Sequence, residues 1–360
     1  MLLLWPIWFN PKLTNCLETY NPNPWLTHLV ETISKSVDPS TSWLQLLKQS
    51  THILWLVNAS QSWHIDPAKV KQYVNHQPLI VNMAGDPFRC WEQQIVKELA
   101  QYTDNFIVLS SDVKYYRTPT DNICYIPFWY LHQKYNYKPV AVIDQPRQYR
   151  LSCLNRVSRY HRIENFIKLK RKPYFDQLLF TMLYEYDRQA TRRETSPRFY
   201  NKQIVAEFES LIPAERPNTQ FDGHSIGLPG FYDSYINFAT ETSVYPDTIF
   251  ISEKTWKPFM SGQLGIWLSN PGTVAFLRDI GLDVFDDILY NHTYDQELDL
   301  NTRIDQLHWL IDQIMTMDID AVWCDTSPRR QANIDLLYGK ELETLLTQQS
   351  KTYENKLSII

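Results

Sequence analysis

Short apolar runs alternate with amphipathic stretches through the first half of the chain. Four of these runs have the length and composition of buried strands, and they lie at residues 1–9, 52–57, 78–83 and 105–110. Between the last two, apolar residues from Phe88 to Leu99 recur at helical spacing. Strands that alternate with helices build a parallel sheet with helices on its faces, so we predict an α/β fold.

The second half resumes the same alternation after a stretch that contains Lys138-Pro139 and Gln145-Pro146. We predict strands at residues 149–154, 235–239, 248–252 and 264–269. We predict helices at residues 163–170, 175–186, 203–212, 273–280, 303–315 and 328–346, and another that begins at residue 253. A loop at residues 213–230 is long enough to suggest a function. The order predicts two Rossmann-like domains, at residues 1–147 and 148–347, followed by a tail at 348–360.

Composition and charge narrow the function classes. The 360 residues carry a net charge of -5, which argues against non-specific coating of nucleic acid. The balance is uneven, because residues 150–202 contain 13 Lys and Arg against 5 Asp and Glu, or +8. This segment predicts an anionic ligand nearby, with a solvated basic helix surface as the alternative.

Targeting and redox signals point to the cytosol. The apolar run at residues 1–9 is far shorter than the roughly 20 residues that a membrane span needs, and it lacks the features of a signal peptide. The five cysteines are scattered and form no CxxC pair, which favours reduced thiols and no zinc site. We therefore expect a cytoplasmic protein in the cell that produces it. The oligomeric state is left open.

The most informative segment is FISEKTWKPF, residues 250–259. An apolar run ends at Ser252, a good N-cap residue, and Glu253, Lys254 and Thr255 follow at once. A strand that leads into a helix N-terminus makes an anion site, in which Lys254 would neutralise phosphate and Glu253 would accept hydrogen bonds from a ribose diol. The alternative is an ordinary capped helix with Lys254 in solvent.

Two further segments place polar residues at predicted strand ends. The run YINFATE ends in Glu241, and groups past the carboxyl ends of parallel strands line the ligand crevice of such sheets. The run SCLNRVSRYHR contributes a larger polar set, namely Asn155, Arg156, Arg159, His161 and Arg162. Guanidinium groups suit a pyrophosphate because their planar fork makes bidentate charged bonds. A basic surface patch is the alternative.

These segments resemble the donor-binding domain of fucosyltransferase-like glycosyltransferases, in particular those of bacteriophages and large viruses. In that family a TEKTxKP run precedes an NPG turn and a YD-containing loop. The counterparts in this chain are SEKTWKP, Asn270-Pro271-Gly272 and Tyr294-Asp295, with Ser252 in place of the common Thr. The resemblance covers roughly residues 150–305 and does not extend to the N-terminal half.

The resemblance implies a GT-B fold with two Rossmann-like domains facing across a cleft, and an inverting reaction that needs no metal. It also implies an N-terminal acceptor domain and a C-terminal domain that binds a UDP- or GDP-linked sugar as co-substrate, with no other cofactor. The donor-binding carboxylate and lysine fall on Glu253 and Lys254. The pyrophosphate-binding arginine falls on Arg159 or Arg162.

An inverting transferase needs a general base to deprotonate the acceptor hydroxyl. Candidates at strand ends of the N-terminal half are Asp86, Asp112 and His64, with Asp66 beside the last. Asp86 is the first choice, although Asp86-Pro87 also has the pattern of an N-cap and first helical residue.

An acidic pair, Asp318 and Asp320, mimics the DxD motif that holds a divalent metal in other glycosyltransferases. It follows a predicted helix, which favours a solvated acidic loop, and Asp286-Asp287 is likewise expected to be structural.

Three functions remain open at this stage. The leading one is a glycosyltransferase that moves a sugar from a nucleoside diphosphate sugar to a hydroxyl, which belongs either to a glycan or small saccharide or to a hydroxymethylated pyrimidine of viral DNA. The second is a catalytically silent protein of the same fold that binds a nucleotide sugar or nucleic acid, and the third is a metal-dependent transferase that uses Asp318 and Asp320.

Overall fold

The structure is a computed structural model that describes residues 2–4, 53–56, 79–82, 91–101, 106–140, 142–185, 202–211 and 229–348. The chain forms two compact units. Unit 1 comprises residues 1–138, 247–251 and 340–360, and unit 2 comprises residues 139–246 and 252–339. The predicted base candidates Asp86, His64 and Asp66 lie outside the described residues.

Unit 1 carries one five-stranded parallel sheet. Its strands are β1 (Leu2–Leu4), β2 (Ile53–Leu56), β3 (Leu79–Asn82), β4 (Phe106–Ser110) and β5 (Ile123–Tyr125). They pair in the order β1-β2-β3-β4-β5, which is also their order along the chain. The described strands of this sheet therefore contain no reversal of strand order.

Unit 2 carries a four-stranded parallel sheet whose order does reverse. Its strands are β6 (Tyr149–Val157), β7 (Leu178–Glu185), β8 (Ser234–Thr240) and β9 (Leu264–Leu268). They pair in the order β7-β6-β8-β9. The chain leaves β6 towards one side to form β7, and then continues on the other side with β8 and β9. This places a topological switch point between the carboxyl ends of β6 and β8.

Helices flank both sheets. In unit 1 they are α1 (Trp91–Leu99), α2 (Val113–Arg117), α3 (Phe128–Asn136) and, near the end of the chain, a helix at residues 340–348. In unit 2 they are α4 (Tyr160–Lys170), α5 (Lys202–Leu211), α6 (Glu253–Met260), α7 (Thr273–Asp279), α8 (Asp286–Leu289), α9 (His292–Asp295), α10 (Leu300–Ile314), α11 (Ile319–Asp325) and α12 (Ser327–Tyr338). The prediction of two Rossmann-like α/β domains is confirmed.

The core of unit 2 lies around β8 and β9, which are buried along their whole length. Phe259 of α6 stacks on Trp267 of β9 with ring centroids 5.4 Å apart. Both rings are within 2% of complete burial, and burying such a side chain stabilises the fold by roughly 1.5–3 kcal/mol. This packing holds α6 firmly beside the sheet edge from which it starts.

One predicted helix, at residues 175–186, is wrong. The segment begins as a 3-10 turn, Phe175–Gln177, and then forms β7, which pairs with β6 in parallel register. Leu179, Phe180 and Met182 are only half-buried, as suits an edge strand. An apolar run of this length fits both periods, and pairing with β6 decides in favour of the strand.

Two smaller predictions also need correction. Residues 248–252 form a single antiparallel bridge, between Phe250 and Asp112, and not a strand. The helix predicted at 328–346 is interrupted at Gly339, where α12 ends and the helix at 340–348 begins. A Cβ on Gly339 would lie 2.9 Å from the carbonyl oxygen of Asp335, so only glycine fits this close approach.

The stretch at which we predict the domain boundary packs on unit 2. Trp323 of α11 lies between two guanidinium groups, with that of Arg147 at 4.4 Å and that of Arg330 at 3.4 Å from its ring centroid. Arg330 also pairs with Asp144 at 2.8 Å, and the Trp323 indole donates to the Ile143 carbonyl at 3.1 Å. Residues 143–147 are therefore tied down by aromatic and charged contacts.

No helix in the described part of the chain is long and apolar enough to cross a membrane.

Candidate functional site

Three helices of unit 2 begin at the carboxyl edge of its sheet: α4 after β6, α6 after β8 and α7 after β9. Each helix N-terminus offers backbone N–H groups without intrahelical partners and the positive end of the helix dipole. Each is therefore a potential anion site, and what already occupies each one decides which can take a ligand.

Glu241 occupies the N-terminus of α6. It follows β8 directly and is fully buried, at 0% exposure. Its Oε1 accepts the N–H of Ser252 at 3.1 Å, the N–H of Thr255 at 3.2 Å and the Thr255 hydroxyl at 2.5 Å. Its Oε2 accepts the Ser252 hydroxyl at 2.6 Å and the Thr242 N–H at 3.0 Å. Five hydrogen bonds compensate the buried charge. Glu241 therefore holds the start of α6, and its carboxylate oxygens are used within the fold.

Asp295 occupies the N-terminus of α7 in the same way. Its carboxylate accepts the N–H of Val274 at 2.8 Å and that of Ala275 at 2.9 Å, and its carbonyl accepts the N–H of Gly272 at 2.8 Å. Gly272 has φ of 84°, which only glycine adopts without strain. The NPG turn and the YD loop, separate motifs in the sequence, thus form one capped structure.

The N-terminus of α4 differs from both. Its N-cap residue is Arg159, and no side chain caps it. Directly before it lies Ser158, which is 2% exposed and whose hydroxyl has no hydrogen-bond partner. A buried hydroxyl without a partner costs about 1–3 kcal/mol, which a hydrogen-bonding ligand would recover. Sequence reasoning missed Ser158, although a serine between a strand and an Arg-x-x-Arg pattern is a usable signal.

Arg159 and Arg162 have different roles. Arg162 is 2% exposed, and its Nη2 donates to the carbonyls of Thr240 at 2.9 Å and Glu241 at 3.1 Å. Arg159 is partly exposed, and its Nη1 donates to the Thr242 carbonyl at 2.7 Å. Arg162 therefore fixes the end of β8, while Arg159 is the less buried of the two arginines.

His161 completes the first turn of α4. Its Nε2 donates to the Glu241 carbonyl at 2.9 Å, since a carbonyl can only accept. Burial lowers the pKa of His161 well below its usual value, and the charge of Arg162 adds to the effect. The ring is therefore neutral and positions the chain next to Glu241.

The loop that follows β8 is held at its far end as well. Arg303 of α10 is 1% exposed and donates to the Val244 carbonyl at 2.6 Å. Asn270 donates to the Tyr245 carbonyl at 2.7 Å and to the Ser243 hydroxyl at 3.0 Å. Burial lowers the pKa of Arg303 to about 10, which leaves it charged at neutral pH. Side chains from three elements thus fix residues 240–245.

Asn155 lies at the carboxyl end of β6 and is 3% exposed. Its Oδ1 accepts the Thr240 hydroxyl, and its Nδ2 donates to the Cys153 sulfur at 3.2 Å. It links β6 to β8 across the switch point. Arg156 is in the same strand, but its side chain lies outside the described residues.

Glu253 and Lys254 begin α6 beside the bonds of Glu241. The Lys254 ammonium pairs with the Glu253 carboxylate and lies 3.4 Å from the Ser252 hydroxyl, which also accepts the Lys254 N–H at 3.3 Å. Lys254 is partly exposed, with 24% of its side chain accessible. The helix is capped as the alternative interpretation expects, yet Lys254 stays next to the sheet edge and does not extend into solvent alone.

Most of the other described basic residues of segment 150–202 have partners within the fold. Lys168 pairs with Asp305, Arg171 with Glu207, and Lys172 with Asp312 at 2.6 Å. Arg150 donates to the Met317 carbonyl at 2.8 Å. Among the described residues of this segment, the charges of Lys168, Arg171 and Lys172 are thus compensated inside the fold.

The acidic pair Asp318 and Asp320 has structural contacts. Asp318 caps α11 by accepting the Ala321 N–H at 3.2 Å, and Asp320 accepts the Tyr235 hydroxyl. Among the described residues there is no group of three or more His, Cys, Asp or Glu side chains that could hold a metal ion. Asp286 and Asp287 pair with Arg278 and Arg329, in line with the structural role expected for them.

Asp112 is the one predicted base that the structure describes. It lies in unit 1 just past β4, is 1% exposed, and caps α2 by accepting the Lys114 N–H at 3.0 Å. Burial raises its pKa, which the nearby Lys114 ammonium opposes.

Comparisons with known proteins give distant structural similarities. No protein-family model and no curated protein sequence matches the chain. Among solved structures, "T4 phage BGT in complex with UDP and Mn2+" is 10% identical with a TM-score of 0.41, over 86% of this chain and 84% of that one. An "alpha-glucosyltransferase in complex with UDP and a 13-mer DNA" is 10% identical with a TM-score of 0.41, over 88% and 80%. A structure of "the DNA modifying enzyme beta-glucosyltransferase" is 8% identical with a TM-score of 0.37, over 86% and 83%.

Proposed function

We propose that the chain is a glycosyltransferase that uses a nucleoside diphosphate sugar, and that the diphosphate binds at the N-terminus of α4. The observation that carries this proposal is the contrast between the three helix starts at one sheet edge. Buried carboxylates occupy α6 and α7, whereas α4 presents an arginine and an unsatisfied serine hydroxyl. An anion is repelled by the first two and attracted by the third.

The strand order supports the same position. Ligands of open parallel sheets bind outside the carboxyl ends of the strands where the strand order reverses. In unit 2 this point lies between β6 and β8, and α4 begins three residues after β6 ends. Topology and local chemistry, which are independent of each other, select the same helix.

Each residue has a role in this proposal. The Ser158 hydroxyl and the Arg159 guanidinium bind the diphosphate, and Lys254 adds a second positive charge. Glu253 accepts hydrogen bonds from the ribose diol. Glu241, Arg162 and Asn155 keep the edge rigid and do not contact the ligand.

The reaction that follows is a displacement at the anomeric carbon of the donor sugar. The acceptor oxygen attacks as its proton passes to a general base, and the nucleoside diphosphate leaves with the bonding electrons. Arg159, Lys254 and the dipole of α4 stabilise the negative charge that develops on the leaving group. We propose inversion of configuration, which is the expected outcome of a single displacement.

We also propose that transfer needs no metal ion. The described acidic residues do not fit a metal site, because Asp318 and Asp320 are already used as a cap and as a partner of Tyr235. Cationic side chains then supply the positive charge that a metal would supply elsewhere.

The acceptor is either a glycan or a hydroxymethylated pyrimidine of DNA. The similar solved structures suggest first probes: UDP-glucose as donor, and duplex DNA with hydroxymethylcytosine beside a panel of saccharides as acceptors. A fucose donor linked to GDP belongs in the same panel. Because Lys168, Arg171 and Lys172 pair with acidic residues of the fold, DNA affinity should be modest and salt-sensitive.

The test is thermal stabilisation of the protein by UDP, GDP and their sugars, with and without chelator, followed by transfer assays with the stabilising donor. Selective binding raises the melting temperature by mass action. We expect one nucleotide to stabilise the protein equally with chelator present, and its sugar to be transferred. Stabilisation by no nucleotide contradicts the proposal, and stabilisation without transfer to either acceptor class favours the silent binding protein.

A further inference from the structure

Unit 1 has a polar cluster of its own at the carboxyl end of β4. The strand is buried throughout, and its apolar residues give way at the end to Ser110 and Ser111. Glu92, in the first turn of α1, reaches this end and accepts the Ser110 hydroxyl on Oε1 at 2.8 Å. The Ser110 oxygen in turn accepts the Asp112 N–H at 3.1 Å. A buried carboxylate is thus fixed at the end of a central strand.

Asp112, the base candidate at this edge, is engaged on both oxygens. Its Oδ1 accepts the N–H of Lys114 at 3.0 Å and that of Ile249 at 3.1 Å, and its Oδ2 lies 3.0 Å from the Lys114 ammonium. These contacts cap α2 and attach residues 247–251 to unit 1. Taking up a proton would weaken all of them.

Asp112 Oδ2 makes no hydrogen bond but has the Lys114 ammonium beside it, whereas three other buried polar atoms of these segments have no hydrogen-bond partner: Glu92 Oε2, Ser111 Oγ and Thr248 Oγ1. Their residues are 1%, 4% and 3% exposed. Ser111 follows the serine that bonds to Glu92, and Thr248 precedes the residue whose N–H bonds to Asp112. A buried polar atom without a partner has lost the hydrogen bonds that water would make, so three such atoms in segments that the Ser110–Glu92 and Ile249–Asp112 bonds connect to the end of β4 point to a ligand that pairs with them.

We propose that this β4 edge, made of Glu92, Ser111 and Thr248, binds the hydroxyl-bearing acceptor and that Glu92 is the general base. The inference rests on the proposed function and deepens it. The acceptor O–H bond breaks as its proton passes to Glu92 Oε2, and the freed electron pair forms the bond to the anomeric carbon. The bond from that carbon to the diphosphate oxygen breaks, and the nucleoside diphosphate carries away its electrons.

The surroundings of Glu92 suit this role. Burial raises the pKa of Glu92, and the Asp112 carboxylate raises it further, while the Ser110 hydroxyl and the Lys114 ammonium lower it. A carboxylate with a raised pKa is a stronger base, and exclusion of solvent protects the donor from hydrolysis.

The first experiment compares Glu92→Gln with the parent enzyme, using the donor and acceptor found in the transfer assay. The amide oxygen of Gln still accepts from Ser110, so the fold is retained. We expect kcat to fall at least about 100-fold, the usual contribution of a general base, with the nucleotide dissociation constant unchanged. Glu341→Gln, at an exposed position of unit 1, is the matched control and should behave as the parent.

Retention of kcat within about threefold in Glu92→Gln overturns the assignment, given the contribution of general-base catalysis. A drop in kcat that comes with weaker nucleotide binding or a lower melting temperature also overturns it, because it shows a structural role.

A second pair of variants tests the binding site without changing Glu92. Thr248→Val and Ser111→Ala remove the unpaired hydroxyls, and each should raise the acceptor KM about three- to tenfold at constant donor KM, since one hydrogen bond is lost. Unchanged acceptor KM in both overturns the acceptor site. If the parent protein binds no nucleotide or transfers no sugar, the proposed function fails. If it does both while these variants behave as the parent, only the present inference fails.

Discussion

Helices α4 and α6 begin at the same sheet edge, but different protein groups lie at their N-termini. At α6 a buried carboxylate, Glu241, takes the place of an anionic ligand through five hydrogen bonds. At α4 the capping position holds Arg159, and the Ser158 hydroxyl beside it is unpaired. One helix start is therefore completed by a carboxylate of the protein, whereas no side chain caps the other.

The difference shows that a good capping sequence does not by itself mark an anion site. SEKT at α6 has the more favourable local pattern, but the protein uses it internally. The less conspicuous start of α4 is the one we propose as the anion site, because no side chain caps it.

Removing the carboxylate from α6 should have the largest effect. Glu241→Ala leaves buried N–H and hydroxyl groups of Ser252 and Thr255 without partners, so we expect a loss of about 3 kcal/mol or more in the free energy of unfolding. Urea denaturation measures it. Asp299→Ala, which removes the exposed cap of α10, is the control and should cost about 1 kcal/mol. Equal losses in the two variants would show that Glu241 is an ordinary cap.

Acid should lower the free energy of unfolding, because it protonates a buried histidine that bonds α4. His308 of α10 bonds Asn165 of α4 at 3.0 Å, and burial lowers its pKa to about 4. Because this lies below the unfolded value of about 6.5, the stabilisation is complete above pH 6.5 and is lost as pH falls to about 4, with a total of about 3 kcal/mol.

Denaturation at pH 7 and pH 5 measures this effect. The difference in stability between the two should shrink in His308→Asn and persist in His292→Asn, which changes an exposed histidine. The reverse result would show that His308 does not cause the loss of stability in acid. Burial also lowers the pKa of His161, so its protonation in acid should destabilise the fold in the same way.

Exchanging the two arginines of α4 for alanine should separate ligand binding from folding. Arg159→Ala loses a charged contact to the diphosphate, so nucleotide affinity should fall about 10- to 100-fold. Arg159 also bonds the carbonyl of the partly exposed Thr242, so stability should fall, but by less than in Arg162→Ala. Arg162→Ala should instead lower stability, because it leaves the Thr240 and Glu241 carbonyls without their donor. Isothermal titration and urea denaturation of both variants measure the two effects. Similar behaviour of the two variants would contradict the roles given to them.

The smallest effect is expected from Ser158→Ala. The variant loses one hydrogen bond to the diphosphate, worth about 1 kcal/mol or roughly fivefold in affinity. Without ligand it should be as stable as the parent or slightly more stable, since a buried unpaired hydroxyl is removed. A less stable variant with normal affinity would mean that the hydroxyl serves the fold. Ser327→Ala, at a serine outside the site that bonds Asp144, is the control.

Much of the fold follows from the sequence. Apolar runs predict strands β2, β3, β4, β6, β8 and β9, and Ser252 marks the start of α6. The segment that forms β7 cannot be assigned from its pattern, because a short apolar run satisfies both periods and only its pairing with β6 decides. Contacts between distant segments therefore set the limit of prediction for the fold.

The candidate site is less predictable. The sequence identifies Arg159, Arg162, Glu241 and Glu253 as a group, and the structure brings all of them to one sheet edge. It does not reveal that Glu241 and Arg162 bond to the backbone, because this depends on which carbonyls and N–H groups approach them. Glu92 stands out only through an unpaired buried atom, which no pattern of residue types records, whereas Ser158 has a sequence signal as well, its position between a strand and an Arg-x-x-Arg pattern.

The fixed loop at residues 240–245 has a consequence for engineering. The carbonyls of Thr240, Glu241, Thr242, Val244 and Tyr245 are held by side chains of α4, α10 and the NPG turn, so these anchors do not depend on the side chain of Thr242. Thr242 is partly exposed, and its side chain can be varied while these backbone bonds are kept. A library at this position therefore tests the proposed donor site on an anchored backbone.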